Sequence, residues 1–323
     1  MHAVTYASFG DPAVVLETTE RPTPEPGPGQ VRVKLRRAAI HNHDLWTVRG
    51  SYGHAPRLPA VGGSEAAGVI DALGEGVSGV RVGDRVATFA PGAWSEYFLA
   101  SAAGLVPLPD AISDDVGCQL VGMPLSAMVL LDTYGVEPPH YIVQNAANGA
   151  VGKTLAKLAQ ARGQNVLHLV RSDSAVRELA AHGIEGAIST AAPDWRARAL
   201  ATIGTAEIRC AIDSLGGAGS GEICSLLARG GRLVAFGSMT GEPMQIDSGG
   251  LIFKQLTVEG FWLSGQNAVP PQKLGAKIAE LVRLAVTGVL ELPVAGTFPL
   301  SQAKEACARS AAAGRGGKVL FTA

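Results

Sequence analysis

The sequence has 323 residues, more than one compact core usually organises, so two domains are expected. Hydrophobic residues make up 47% and charged residues 17%, which excludes a disordered chain and leaves ample apolar surface to bury. The formal net charge of -1 carries no basic excess, which argues against nucleic acid as the main partner.

In chain order, the opening segment MHAVTYASFGDPAVV lacks a basic region followed by an apolar run, so no signal peptide is expected. No apolar stretch reaches the ~18 residues a membrane span needs, and a cytoplasmic protein with no membrane partner is the expectation. Residues 1 to about 110 read as β-rich: VRVKL at 31–35, AAGVIDAL at 66–73, DRVATFA at 84–90 and EYFLA at 96–100, punctuated by glycine and proline. Pro22, Pro24, Pro26 and Pro28 make an extended segment ahead of the first of these. Arg32, Lys34, Arg36 and Arg37 fall along that strand as a solvated face.

From about residue 116 the texture changes. YIVQNA (141–146), VGKTLAKLAQARG (151–163), NVLHLVR (165–171) and DSAVRELAAHG (173–183) alternate strand and helix. Further strands are expected near 187–190, 209–213 and 231–236, with the helix SGEICSLLARGG before the last. This alternation is the mark of βαβ units and a parallel sheet. After about 265, a helix (KLGAKIAELVRLAVTG) and a final strand (GKVLFTA) break the alternation and read as a return to the first domain. The expected division is 1–115 with 266–323 for one domain and 116–265 for the other. Cys118, Cys210, Cys224 and Cys307 lie far apart in apolar stretches, as buried, reduced thiols do.

The strand YIVQNA runs directly into a loop, Asn148-Gly149-Ala150-Val151-Gly152, and then a helix. Gly149 and Gly152 have the spacing of the second half of a dinucleotide fingerprint, while Ala146 or Ala147 stands where the first glycine belongs. Glycine lets the backbone approach a pyrophosphate, and the helix N-terminus supplies N–H groups and positive potential. An ordinary tight turn is the alternative. The next strand ends LVRSDS, placing Arg171 and Ser172 where an acid would hold a ribose hydroxyl. A guanidinium and a hydroxyl suit a 2′-phosphate, so NADPH is favoured over NADH; Asp173 just beyond pulls the other way, and Arg171 reaching only solvent is the alternative.

The segments EPGPGQVRVK, GGSEAAGVIDALGEGV, VRVGDRVATF and GAWSEYF, with the AVG loop, resemble the medium-chain dehydrogenase/reductase superfamily over nearly the whole chain. GSYGHAPRLPAVGGSEAAGV, VQNAANGAVG and LIFKQLTVEGFWLS look most like its mitochondrial-type 2-enoyl-thioester reductases, with quinone reductases as further relatives. The resemblance implies an α/β fold: a GroES-like β-rich catalytic domain plus a doubly wound, parallel-sheet Rossmann domain. Zinc members carry a Cys-His pair where this chain has His41 and Asn42, and a His-Glu pair where it has Ser64 and Glu65. With the thiolate and one imidazole replaced, no catalytic zinc is expected, although His41, His43 and His54 lie close in sequence.

By the same resemblance, Tyr52 is the catalytic hydroxyl, bonding the thioester carbonyl or supplying the α-carbon proton; simple packing is its alternative. Ser126 and the run Gly237, Ser238 and Met239 fall beside the nicotinamide, and Asn42, Phe261 and Trp262 in the substrate pocket, with Trp262 equally readable as core. Relatives open the helix near 42 with Asn-Pro-x-Asp; here His41-Asn42-His43-Asp44 leaves open which residue takes the asparagine's role. The resemblance also implies a homodimer paired through the sheet edge at LTVEGFWLS. Three functions compete: enoyl-thioester reduction, quinone or general enone reduction, and a catalytically idle cofactor-binding protein. Zinc alcohol dehydrogenation is a distant fourth.

Overall fold

A computed structural model, describing residues 1–265 and 269–323, divides the chain into two units: Met1–Met123 with Ile278–Ala323, and Pro124–Lys277. The sequence texture sets the divisions at 115/116 and 265/266; Gln266 itself lies outside the described residues. The observed divisions fall inside the helices Gly122–Tyr134 and Pro271–Val286, where no change of texture marks them.

In the first unit the strand Gln30–Ala39 buries Val31, Val33 and Leu35 on alternate positions, as a period of two requires. Its cations are not all merely solvated. Arg32 pairs with Asp71 at 2.7 Å and Glu25 at 2.9 Å, and Arg37 with Asp115 at 2.6 Å, whereas Lys34 and Arg36 are exposed. Among the described residues this strand lies within a seven-stranded sheet, between Lys318–Thr322 and Glu65–Leu73, with Tyr97–Ser101 also paired to it. The chain's last strand therefore completes a sheet begun near its start. Trp94 and Phe321 meet edge to face at 5.2 Å in the core, and the Trp94 indole donates to the Ala39 carbonyl at 3.1 Å. Gly62 and Gly63 run against that indole; a Cβ at either would lie 2.4 or 2.2 Å from it, so the pair admits no side chain.

In the second unit the described residues form a six-stranded, wholly parallel sheet. Its order is Ile188–Ser189, Asn165–Val170, Tyr141–Gln144, Ile208–Asp213, Arg232–Ala235 and Thr257–Gly260. Sequence order runs outward in both directions from Tyr141–Gln144 and Ile208–Asp213. Their carboxyl ends are therefore the topological switch point, where loops diverge and leave a crevice. Within the strands Ile142, Val143, Leu167, Leu169, Ala211, Ile212, Leu233 and Val234 are buried, as expected for strands covered on both faces. All four cysteines are buried free thiols, and burial pushes Cys210 and Cys307 up to about 12.

Candidate active site

The pairing of Ala38 opposite Ala66 sets the first cluster. The chain leaving Gln30–Ala39 passes Ile40 and His41 directly over Ser64 and Glu65, where the neighbouring strand begins. His41 is fully buried and its Nε2 lies 2.8 Å from a Glu65 carboxylate oxygen; the other Glu65 oxygen accepts from the Val121 backbone at 2.6 Å. His41 Nδ1 is buried without a partner. His41 also caps the helix Asn42–Arg49, and its backbone N–H donates to Asp44 at 2.8 Å. Next in line, His43 Nε2 lies 2.7 Å from the Ser64 hydroxyl. Two imidazole rungs thus join the helix start to the strand start.

The rings continue outward. His43 stacks on His41 at 5.0 Å, and Tyr52 packs on His43 at 5.7 Å, with Phe89 at 5.8 Å from His43. Tyr52 follows the helix by way of Gly50, whose φ of 77° is the left-handed turn that ends it. Burial holds the His41 imidazole well below its ordinary range, aided by the Lys318 charge. Burial likewise raises the Glu65 carboxyl to about 7 against the pull of the Gly122 and Val121 N–H groups, and lowers Lys318 to about 8.

In the second unit the expected positions Asn148–Gly152, Arg171, Ser172 and Gly237–Met239 follow the carboxyl ends of parallel strands. Ala146 adopts a φ of 47°, a conformation that non-glycine residues seldom accept, as the chain turns out of Tyr141–Gln144. Gly149 then caps the helix Ala150–Ala161. A Cβ on Gly152 would stand 2.5 Å from the Ala147 carbonyl oxygen and 2.7 Å from its Cα, so glycine here lets loop and helix close on one another. Gln144 anchors this turn by donating to the Gly152 carbonyl at 3.0 Å, and it meets the His168 ring at 2.9 Å. The first helical turn directs N–H groups without intrahelical acceptors toward the loop, a cradle for an anion.

Arg171 is exposed at the end of Asn165–Val170, and Ser172 caps the next helix, accepting from Ala175 at 3.3 Å. Gly237 and Met239 donate to the Asp213 and Ser214 carbonyls, fixing the loop after Arg232–Ala235; Ser238 lies between them, half-buried. Ser126 is buried on the helix Gly122–Tyr134. Asn42 is half-buried at the first position of its helix. Phe261 is buried against Tyr134 and Phe236, whereas Trp262 is 42% exposed.

Sequence reasoning did not single out Glu65 as a structural hub, nor Lys318, Asn145 or Asp213. The signal was there: each is a polar or charged residue set in or at the end of an otherwise apolar strand, in SEAAGVI, KVLFT, IVQN and CAID. Asp213 is fully buried and accepts from Asn145 (2.7 Å), Leu215 N (2.9 Å), Gly216 N (3.3 Å) and Ser220 (2.5 Å).

A catalytic zinc wants about three protein ligands and an open position. His41 is instead committed to Glu65 and His43 to Ser64, and the Cys118 thiol is pushed well above its ordinary value by burial. Among the described residues no group of three His, Cys, Asp or Glu side chains is arranged to hold a metal ion. The donor set does not fit zinc.

A β-rich unit carrying a buried polar cluster, and a doubly wound unit with a glycine-closed anion cradle, define a dinucleotide-dependent oxidoreductase architecture. Residues 27–110 match the alcohol dehydrogenase GroES-like domain, and residues 150–277 match the zinc-binding dehydrogenase family. The mitochondrial enoyl-[acyl-carrier-protein] reductase of Bos taurus is 31% identical over 93% of this chain and 83% of its own length. Two solved structures superpose with a TM-score of 0.91 at 26% identity over 100% of this chain. One is a putative NADPH:quinone reductase from Bacillus thuringiensis, covered over 98% of its length; the other is Escherichia coli quinone oxidoreductase complexed with NADPH, covered in full. The chain belongs to the medium-chain dehydrogenase/reductase superfamily, a family of oxidoreductases with enoyl reductase and quinone oxidoreductase branches.

Proposed function

We propose that the protein is a zinc-independent, NADPH-dependent reductase of activated carbon–carbon double bonds, with trans-2-enoyl thioesters as its substrate class. The observation that carries this reading is the setting of Tyr52: a phenol held on a ring stack anchored in a fully buried imidazole–carboxylate pair, in a chain 31% identical to an enoyl reductase. Pro124–Lys277 is the nucleotide-binding domain in this reading, and the remainder the catalytic domain. The Asn148–Gly152 turn holds the pyrophosphate, Arg171 and Ser172 the 2′-phosphate, and Ser126 and Gly237–Met239 the nicotinamide end. Of His41 and Asn42, this reading assigns the asparagine's role to Asn42, because His41 is enclosed and bonded to Glu65.

When bound, NADPH supplies the hydride that reduces the β-carbon. Negative charge then collects on the thioester oxygen, and a hydroxyl hydrogen bond from Tyr52 stabilises that enolate before the α-carbon takes its proton. Phe261 and Trp262 flank the acyl chain. The edge strand Thr257–Gly260, with Val258 exposed on it and Phe253 79% exposed on the helix before it, supports a homodimer joined at this edge. A monomer mass by light scattering sinks that part. The buried free thiols support a reducing compartment, the cytoplasm.

The test is the oxidation of NADPH and NADH by the native protein with crotonyl-CoA, a longer trans-2-enoyl-CoA and a simple quinone. Expected are enoyl turnover and a preference for NADPH that narrows at least about tenfold in Arg171→Ala, the worth of one charge-assisted phosphate bond. The 0.91 superposition on quinone oxidoreductases favours a second reading, reduction of quinones, and quinone turnover without enoyl turnover would establish it instead.

A further inference from the structure

We propose that Glu65 is a positioning residue, whose carboxylate holds the segment bearing Tyr52 through His41 and His43. The role in catalysis rests on the reading of Tyr52 given above. Glu65 is fully buried, and among the described residues its ion pair is with His41. One oxygen takes His41 Nε2 at 2.8 Å, and the other takes the Val121 N–H at 2.6 Å in the turn that opens the helix Gly122–Tyr134. One side chain thus ties three stretches of chain together: its own strand, the start of the Asn42–Arg49 helix, and the 121–122 turn.

The fit leaves no slack. A Cβ on Gly122 would stand 2.6 Å from the Glu65 carboxylate, so a side chain there would push on the group that bonds this turn. From His41 the constraint passes outward by contact: the His41 ring stacks nearly parallel to His43, with 12° between their planes, and Tyr52 packs on His43. The Ser64 hydroxyl keeps His43 from rotating out of that stack. A hydrogen-bond acceptor at residue 65 with two separate lobes is what this arrangement needs, and a carboxylate supplies it.

Glu65→Leu keeps the volume and removes both lobes. His41 Nε2 and the Val121 and Gly122 N–H groups then lose their acceptor. Glu65→Gln keeps one lobe: its oxygen still takes the backbone N–H, and its amide donates to His41 Nε2 if the ring proton moves to Nδ1. That move buries an N–H which has no acceptor, so the rescue is incomplete.

The experiment measures kcat on whichever acceptor the native protein reduces fastest, the Kd for NADPH, and backbone hydrogen exchange across residues 41–53. In Glu65→Leu, kcat falls at least about 30-fold, NADPH Kd stays within about threefold, and exchange across 41–53 rises; Glu65→Gln recovers kcat to within about tenfold of native and brings exchange to a level between Glu65→Leu and native. Equal damage from Gln and Leu with exchange unchanged would overturn the proposal, since charge and not hydrogen-bond geometry would then be acting. Native kcat in Glu65→Leu would overturn it equally. If the Leu variant does not fold, Glu65→Gln decides alone: a small loss of kcat with loosened exchange at 41–53 supports positioning, and native exchange overturns it. Because exchange needs no substrate, loss of the enoyl-reductase reading leaves this test standing.

Discussion

Tyr52→Phe is expected to lower kcat for a trans-2-enoyl-CoA by about 10²–10³-fold while the Kd for NADPH changes by less than about twofold. The substitution deletes one oxygen and leaves the ring that packs on His43 at 5.7 Å. What disappears is the donor to an oxygen whose negative charge exists only as the hydride arrives. An interaction made only in the transition state lowers kcat and kcat/KM together and leaves substrate affinity largely alone. Removal of one such donor costs about 3–4 kcal/mol, which sets the size of the expected loss. Quinone turnover, where no thioester enolate forms, should be almost indifferent. An unchanged enoyl-CoA rate in the phenylalanine variant would return Tyr52 to a packing role.

The architecture was legible because its signals are local. The alternation that buries Val31, Val33 and Leu35 needs only a period of two, and the βαβ rhythm after residue 140 names a parallel sheet before any contact is known. The cradle at Gly149 and Gly152 could be read for the same reason, since its two glycines, its strand and its helix are consecutive. The His41–Glu65 pair could not. Its partners are 24 residues apart, and they meet only because Ala38 pairs with Ala66 in a register that no local pattern fixes. Lys318 is harder still: it joins the cluster from the last strand of the chain. Arg32 and Arg37 carry the same lesson at the surface. Their alternation read as solvation, yet Asp71 and Asp115, distant in sequence, come across to pair with them. The unit divisions at 123/124 and 277/278 were hidden because helices run through both, and composition does not change along a continuous helix.

The largest loss of stability is expected at Asp213, in the second unit. It ends the strand Ile208–Asp213 at the topological switch point, and Asn145 ends the neighbouring Tyr141–Gln144 strand at the same edge. The Asn145 amide bridges the two: it donates to Asp213 at 2.7 Å and accepts from the Ser214 N–H at 2.7 Å. Asp213→Ala leaves the Asn145, Leu215, Gly216 and Ser220 donors without their acceptor, with Asn145 and Ser220 themselves buried. At about 1–3 kcal/mol for each donor left unsatisfied, and allowing for relaxation, the loss should reach about 4 kcal/mol, a large part of the 5–15 kcal/mol typical of a folded domain. Asp213→Asn keeps the shape and one acceptor, and Ser220 can reverse its hydroxyl to accept, so its loss should be about 1–2 kcal/mol. Urea unfolding of the two variants measures the difference directly. NADPH affinity should fall in the same order, because the Asn145 bridge holds the start of the loop that leads to Gly149 and Gly152. If Asp213→Ala unfolds within about 1 kcal/mol of native, the four bonds contribute no net stability and the switch point is held by strand packing alone.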